Sequence, residues 1–522
     1  MISNVSKRIC LPELMMILAL VLPGCGCIFG KNSAQPIALP LVKVPSFVTD
    51  KGRIFNVKDF GVKADAKRST EGTIRAESTT LICEVGRFSQ ADVGKTISIN
   101  GANIGGRTLI TTIKAYISPK QTVLADPAQV SVSHTGVIWG TDNLTALKNV
   151  TVRAAGNYIY FPSGNYLLKN IDNGVGVIVP SNTTLYGDGP ESVIYTVGNY
   201  NSSRRCQDEL CDKSTKAWFE VANNSSAVMF ENLHFIGELY PYKYIYNNQA
   251  AIMLIGSVNV MDIKIRNCTF EYNAGFVAHN TTGAQKVFFT HNTIRYHANG
   301  VNLNSDYSDI SYNNFYSSEA IEAAGGYSTY SHNIIRKAQS AAGMSIGGRT
   351  SPNDVRYGNI VEDNVIEESD GHGIFVGDGN RDSVFRRNTI SRTARVGILV
   401  TAGVGGAQPS GNKLIENIVR SAGREGARRD FQGIFVSASA PNTSIINNTS
   451  VEMGYPGYNQ RYGLVVQGDK CVVIGNTVSG TSKDISIDGT TTGNHAKDVV
   501  LGDNKVSSTG VQIIRGATIK SP

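Results

Sequence analysis

From Val228 to Val506 the chain carries short apolar alternations that come in pairs. One member of each pair follows an Asn, as in Asn267-Cys268-Thr269-Phe270, Asn292-Thr293-Ile294, Asn333-Ile334-Ile335, Asn364-Val365-Ile366 and Asn388-Thr389-Ile390. The other follows a small residue, usually Gly, as in Gly275-Phe276-Val277-Ala278, Gly300-Val301-Asn302-Leu303, Gly343-Met344-Ser345-Ile346 and Gly373-Ile374-Phe375-Val376. Alternation over so few residues predicts short strands, and no unit contains an amphipathic helical run. The Asn residues recur every 20 to 35 positions from Asn232 to Asn504, a period that marks a solenoid, propeller or array.

At least two strands per unit and no helix leave a single-stranded, right-handed parallel β-helix, all-β, over residues 51–522. A propeller ranks second, because it needs four strands per blade and a longer, more even period. The recurrent Asn has a physical reason in the β-helix. Stacked at one corner of every coil, its amide can bond the copies above and below and so satisfy itself inside the wall.

Ahead of the coils, Lys7 and Arg8 precede an apolar run from Leu14 to Leu22. That is the pattern of an export signal over 1–25, too short to span a bilayer. Leu22-Pro23-Gly24-Cys25 resembles a bacterial lipobox, which would put a lipid anchor at Cys25; Pro23 departs from that pattern, and ordinary cleavage is the alternative. Residues 26–50, low in charge and punctuated by Pro36, Pro40 and Pro45, read as a linker. The whole chain has a formal charge of +7. For an exported chain this balance suits an acidic polymer, and a merely basic surface equally well. Nucleic acid is not implied. Cys206 and Cys211 are close enough in sequence to close a small disulfide, whereas Cys268 and Cys471 fall in strand patterns and read as core.

The stretch Ile54-Phe55-Asn56-Val57-Lys58-Asp59-Phe60-Gly61-Val62, followed by Tyr158-Ile159-Tyr160-Phe161-Pro162-Ser163-Gly164-Asn165-Tyr166, resembles the opening of the pectate-lyase-like superfamily. The resemblance implies that a helix between them, here Asp142 to Ala155, caps the open N-terminal end of the β-helix. It extends over nearly all of the mature chain. Between helix and opening strand lies an interruption, 71–140, with strand signals at Thr96–Ile99, Leu109–Ile113, Thr122–Leu124 and Val137–Trp139. It reads as a small inserted β domain, either a sugar-binding accessory or a structural insertion.

The chemistry has to come from side chains that point outward from the Gly-led strands. Counting from the Gly, the second residues are Val277, Asn302, Glu322, Ser345, Phe375, Leu399, Phe435 and Val465; the fourth include His279 and Asn304; those just before it include Glu319 and His372. Early coils are therefore polar outside and later ones apolar. A groove with His279, Glu319, Glu322, Asp370 and His372 as catalytic candidates follows, and Asn302 and Asn304 join it as binding residues. Tyr242 and Lys243, in an aromatic loop, and Arg349 are candidates for stacking on sugars and offsetting a substrate carboxylate; Tyr296 and Tyr307 are further acid or base candidates. The bland alternative is that the acids and glycines near Asp370 and Asp378 are turn residues. No cofactor is expected. Asp370, Asp378 and Asp382 together offer an oxygen set for Ca²⁺.

The resemblance implies uronate chemistry without transferring an active site. Polygalacturonase-type hydrolases carry Asn-Thr-Asp, Asp-Asp and Gly-His-Gly in successive coils, where this chain has His297-Ala298-Asn299, Ser318-Glu319 and Ala341-Ala342-Gly343; only Glu319 keeps an acid. Mannuronan epimerases carry Gly-Phe-Asp-Pro-His-Glu, and here Gly275-Phe276-Val277-Ala278-His279-Asn280 keeps the His, with Asn304 in place of the catalytic Asp one coil on. The expectation is an exported enzyme that cleaves or modifies an acidic polysaccharide by β-elimination or hydrolysis. A catalytically silent, carbohydrate-binding or adhesive β-helix is the alternative. The apolar stripe from Phe375 to Val465 asks for a cover, either from the chain's own connections or from a second subunit in a homo-oligomer.

Overall fold

Each coil of the chain turns three corners, so its strands distribute over three long parallel sheets of 16, 13 and 13 strands. The computed structural model describes residues 52–169, 176–198, 216–241, 250–256, 258–273, 275–280, 283–297, 299–339, 341–347, 355–403, 406–424, 431–488, 496–507, 510–514 and 517–520. The expected signal (1–25) and linker (26–50), Cys206, Cys211, Tyr242, Lys243 and Arg349 lie outside them. In one coil the chain passes from Ile360–Glu362 in the first sheet to Val365–Glu367 in the second and His372–Val376 in the third. The core is one continuous column of buried apolar side chains, among them Phe235, Phe270, Phe289 and Phe315.

The Asn-led strands form the second sheet, and the Asn side chains form the ladder their recurrence predicts. Asn333 Nδ2 donates to Asn364 Oδ1 (3.0 Å), Asn364 Nδ2 to Asn388 Oδ1 (2.8 Å) and Asn388 Nδ2 to Asn417 Oδ1 (2.9 Å). Each Oδ1 also accepts the backbone N–H of the Asn one coil earlier, and each Nδ2 also donates to a carbonyl, as Asn364 does to Tyr330. The amide is thus satisfied at full burial, as a buried polar group must be. The ladder runs from Asn292 to Asn504. Asn232 and Asn267 stand one residue short of it. In the latter coil Cys268 takes the ladder place, its N–H donating to Asn292 Oδ1 at 3.0 Å, while Asn267 has φ 54°. That left-handed corner is one Asn tolerates better than most residues, so the same letter serves a different purpose in the first coils.

The Gly-led strands form the third sheet, and the Gly is a matter of space. A Cβ on Gly373 would lie 2.5 Å from Ile390 Cγ2, and one on Gly397 2.3 Å from Val419 Cγ1. Inward side chains of the second sheet already fill that corner. The residue before the Gly therefore faces outward, beside the second residue after it.

The helix Leu144–Arg153 buries Leu147 and Val150 against the end of the column. Asp142 Oδ1 accepts the N–H of Leu144 at 3.1 Å, so its side chain satisfies one of the helix's first donors. The insertion is a closed six-stranded barrel whose strands run from Lys67–Ile74 to Val132–Gly140, with its own core around Leu81, Ile97, Ile113 and Trp139. Its first strand, Lys-Arg-Ser-Thr-Glu-Gly-Thr-Ile, lacks the apolar signal that marked the other strands. Cys268 and Cys471 are core residues, as their strand settings predict, and burial pushes both thiols up to about 12. Among the described residues no helix is long and apolar enough to cross a membrane.

Barrel and coils meet at Glu238. Thr108 Oγ1, from the barrel, donates to its Oε1 at 2.8 Å, and the N–H of Gly198, from a coil, to its Oε2 at 3.2 Å. Burial pushes this carboxyl from 4.5 up to about 8, against the pull of those two bonds. A group that holds its proton more tightly when folded contributes fully below the unfolded value. That contribution is lost as pH rises toward the folded one. Melting of the wild-type chain should therefore fall relative to Glu238→Gln between pH 5 and 8, by about 1.4 kcal/mol per pH unit at most. Parallel pH profiles for the two chains would contradict this.

Candidate active site

On the outer face of the third sheet the backbone register aligns one row of side chains: His279 with Asn302, Asn302 with Glu322, Glu322 with Ser345, Ser345 with Phe375, then Leu399, Phe435 and Val465. His279, and not Val277, is the partner of Asn302. Val277 is fully buried in the core, so the sequence-based counting from Gly275 was out of step by two residues in that coil alone. A parallel row lies at the position before the Gly. Ala342 pairs with His372, and Glu319 occupies the equivalent place two residues before Ile321.

These rows form the floor and one wall of a cleft of about 400 Å³ that brings together Glu319, Glu322, His372, Phe375, Asp378 and Arg395. Glu319 and His372 are largely buried, at 7% and 4% exposure. Asn302 Nδ2 donates to Glu322 Oε2 at 3.1 Å, which fixes that carboxylate from the coil below. His372 is set by its turn: Ser369 Oγ accepts the N–H of Gly371 (3.2 Å) and donates to the His372 carbonyl (2.8 Å). Arg395 enters from the next coil, its N–H donating to Gly371 O at 3.0 Å. Asp378 is 6% exposed, and its Oδ1 has no hydrogen-bond partner among the described residues. The backbone of Gly403 packs against the same carboxylate, where a Cβ would stand 2.4 Å from Oδ2. A buried acceptor without a donor is costly, and a ligand hydroxyl would relieve it.

The other sequence candidates lie elsewhere. Asp370 turns outward to Arg424 Nη1 at 3.0 Å. His279 stacks on Phe276, with ring centroids 4.6 Å apart, two coils before Glu322. The backbone N–H of Asn304 donates to Asn280 Oδ1 at 2.7 Å, at the far edge of the sheet. Tyr296 stacks on Tyr272, and Tyr307 on Tyr327, as columns on other corners. Among the described residues no three His, Cys, Asp or Glu side chains gather as a metal set. The sequence marks Asp378 only as a turn or Ca²⁺ residue, and Arg395 stands two places before Gly397, outside the outward rows of the repeat.

The coils match the family model described as "Right handed beta helix region" over residues 219–414 and 280–478. The coils are thus a right-handed parallel β-helix region, in keeping with their three parallel sheets. No curated protein matches it by sequence. Similar solved structures include the A-module of mannuronan C-5 epimerase AlgE4 from Azotobacter vinelandii, with 14% identity, a TM-score of 0.44, and coverage of 73% of this chain and 96% of that one. They also include PfbA, a surface adhesin of Streptococcus pneumoniae (14%, TM-score 0.46, 70% and 88%), and DFA-IIIase from Arthrobacter chlorophenolicus A6 (14%, TM-score 0.42, 72% and 96%).

Proposed function

We propose that the protein is an exported carbohydrate-active enzyme that hydrolyses glycosidic bonds in a uronate-containing polysaccharide. The observation that carries this reading is the gathering of Glu319, Glu322 and Asp378 with His372 and Arg395 in one cleft. Hydrolysis needs one carboxyl to protonate the leaving oxygen and another to activate water. Glu322, oriented by Asn302, is the base; Glu319 is the acid. Being three residues apart, their Cα atoms are separated by at most about 11 Å, a span compatible with an inverting mechanism, whose carboxyl groups stand ~6.5–9.5 Å apart with water between them. Asp378 Oδ1 accepts a sugar hydroxyl, and Arg395 meets the uronate carboxylate. Export is supported by the Lys7-Arg8 and Leu14–Leu22 pattern.

Incubation with a panel of pectic, alginate and other uronate polymers tests the reading. New reducing ends without the ultraviolet absorbance of unsaturated ends, and with inverted anomeric configuration by proton NMR, are the expected result. Unsaturated ends would mean elimination, and binding without products would mean the silent β-helix. Arg395→Gln should raise KM on de-esterified polymer about tenfold or more, the worth of one charge-assisted bond, and change KM on the methyl ester little. An equal effect on both substrates would remove Arg395 from carboxylate recognition.

A further inference from the structure

The two outward rows that line the active-site cleft continue toward the C-terminus and frame a second cleft of about 560 Å³. One row there is Gln432, Tyr462 and Lys483; the other is Phe435, Val465 and Ser486. Repeat positions that hold acids and a His in the early coils hold Lys483 and the rings of Tyr462 and Phe435 here, with Arg461 beside them. Lys483 Nζ lies 5.4 Å from the ring centroid of Tyr462, and the guanidinium carbon of Arg461 lies 4.5 Å from that of Phe431. Among the described residues the one carboxylate lining the cleft is Asp488. Gln432 contributes a buried Oε1 with no hydrogen-bond partner among the described residues. An acceptor in want of a hydroxyl, two cations and flat apolar rings describe a site for a sugar that bears a carboxylate.

Leu399 is the one residue of the outward row between Phe375 of the first cleft and Phe435 of the second. Two coil steps, about 10 Å, therefore separate the two clefts along one face. We propose that the second cleft is an anchoring site for an acidic stretch of the same polysaccharide chain that the active-site cleft cuts. This rests on the proposed function for what occupies the first cleft. Arg461 and Lys483 bind uronate carboxylates, Gln432 accepts a sugar hydroxyl, and Tyr462 and Phe435 supply ring contact. The anchor raises affinity for long chains and leaves the chemical step alone.

Calorimetric titration of Glu322→Gln protein with long oligogalacturonates and oligoalginates, with cello-oligosaccharides as the neutral control, separates binding from turnover. Adding Arg461→Gln and Lys483→Gln should weaken binding of the long acidic oligomers about ten- to a hundredfold and remove most of its salt dependence. In the otherwise native enzyme the same pair should raise KM on polymer, with kcat and the turnover of the shortest cleaved oligomer unchanged. Undiminished affinity in the double variant overturns the proposal, as does equal binding of the neutral control or no binding of any oligomer. A parent chain that binds through Arg461 and Lys483 yet cleaves nothing leaves the anchoring site standing and overturns the hydrolytic reading instead.

Discussion

Glu322→Gln is expected to lower turnover on a cleavable uronate polymer by about 10²–10⁴-fold, the usual worth of a positioned acid or base. The exchange is nearly isosteric. A Gln oxygen still accepts the bond from Asn302 Nδ2, made now at 3.1 Å, so the strand Ile321–Ala323 and its neighbours keep their packing. What disappears is the ability to take a proton from water. The melting temperature should stay within a degree or two, so the loss of rate reports chemistry and not folding. Full turnover in the variant would mean that the chemistry lies elsewhere on the coils.

The second large effect is structural. Asn388→Leu places a side chain of similar size at a site with no exposure, yet it breaks the ladder on both sides. Asn364 loses the acceptor for both its Nδ2 (2.8 Å) and its backbone N–H (3.1 Å), while Asn417 Oδ1 keeps the backbone N–H of residue 388 but loses the Nδ2 donor at 2.9 Å, and the Val361 carbonyl loses the same donor at 2.9 Å. Each polar group stranded inside the wall costs about 1–3 kcal/mol, so a total of about 3 kcal/mol or more is expected. Coils of a solenoid are stabilised mainly by their neighbours. Hydrogen exchange should therefore show protection lost first in the coils around residue 388. An unchanged melting curve would show that the ladder is incidental.

Periodicity was enough to recover the coils because two corners of each coil are chemically constrained. One requires an amide that can bond its own copies. The other favours a residue with little or no side chain, since Ile390 and Val419 occupy the place of a Cβ on Gly373 and Gly397. Such constraints print themselves on the sequence in most coils, with Ala320 and Asp484 standing at the Gly place in two others. The two first Asn residues were misplaced by one position because Asn also suits the left-handed corner next door. Of the cleft, Glu319, Glu322 and His372 were legible as outward positions of a counted row. Asp370 was not separable from them by counting, since its departure toward Arg424 depends on the turn that Ser369 organises. Arg395 and Asp378 sit on the connections before and after strands, where the repeat has no fixed length and position carries no direction. The apolar stripe was read correctly as a column. Its members divide between two clefts, with Phe375 in one and Phe435 in the other.

What occupies the cleft over Glu319 and Glu322 decides the function of these coils. The most direct measurement is a crystal structure of the Glu322→Gln chain soaked with an oligomer of whichever uronate polymer the panel identifies. The expected result is a sugar seated over Phe375, with its carboxylate at Arg395, a hydroxyl donating to Asp378 Oδ1, and the scissile oxygen within hydrogen-bond distance of Glu319. An oligomer bound on another face, with this cleft filled by solvent alone, would contradict it.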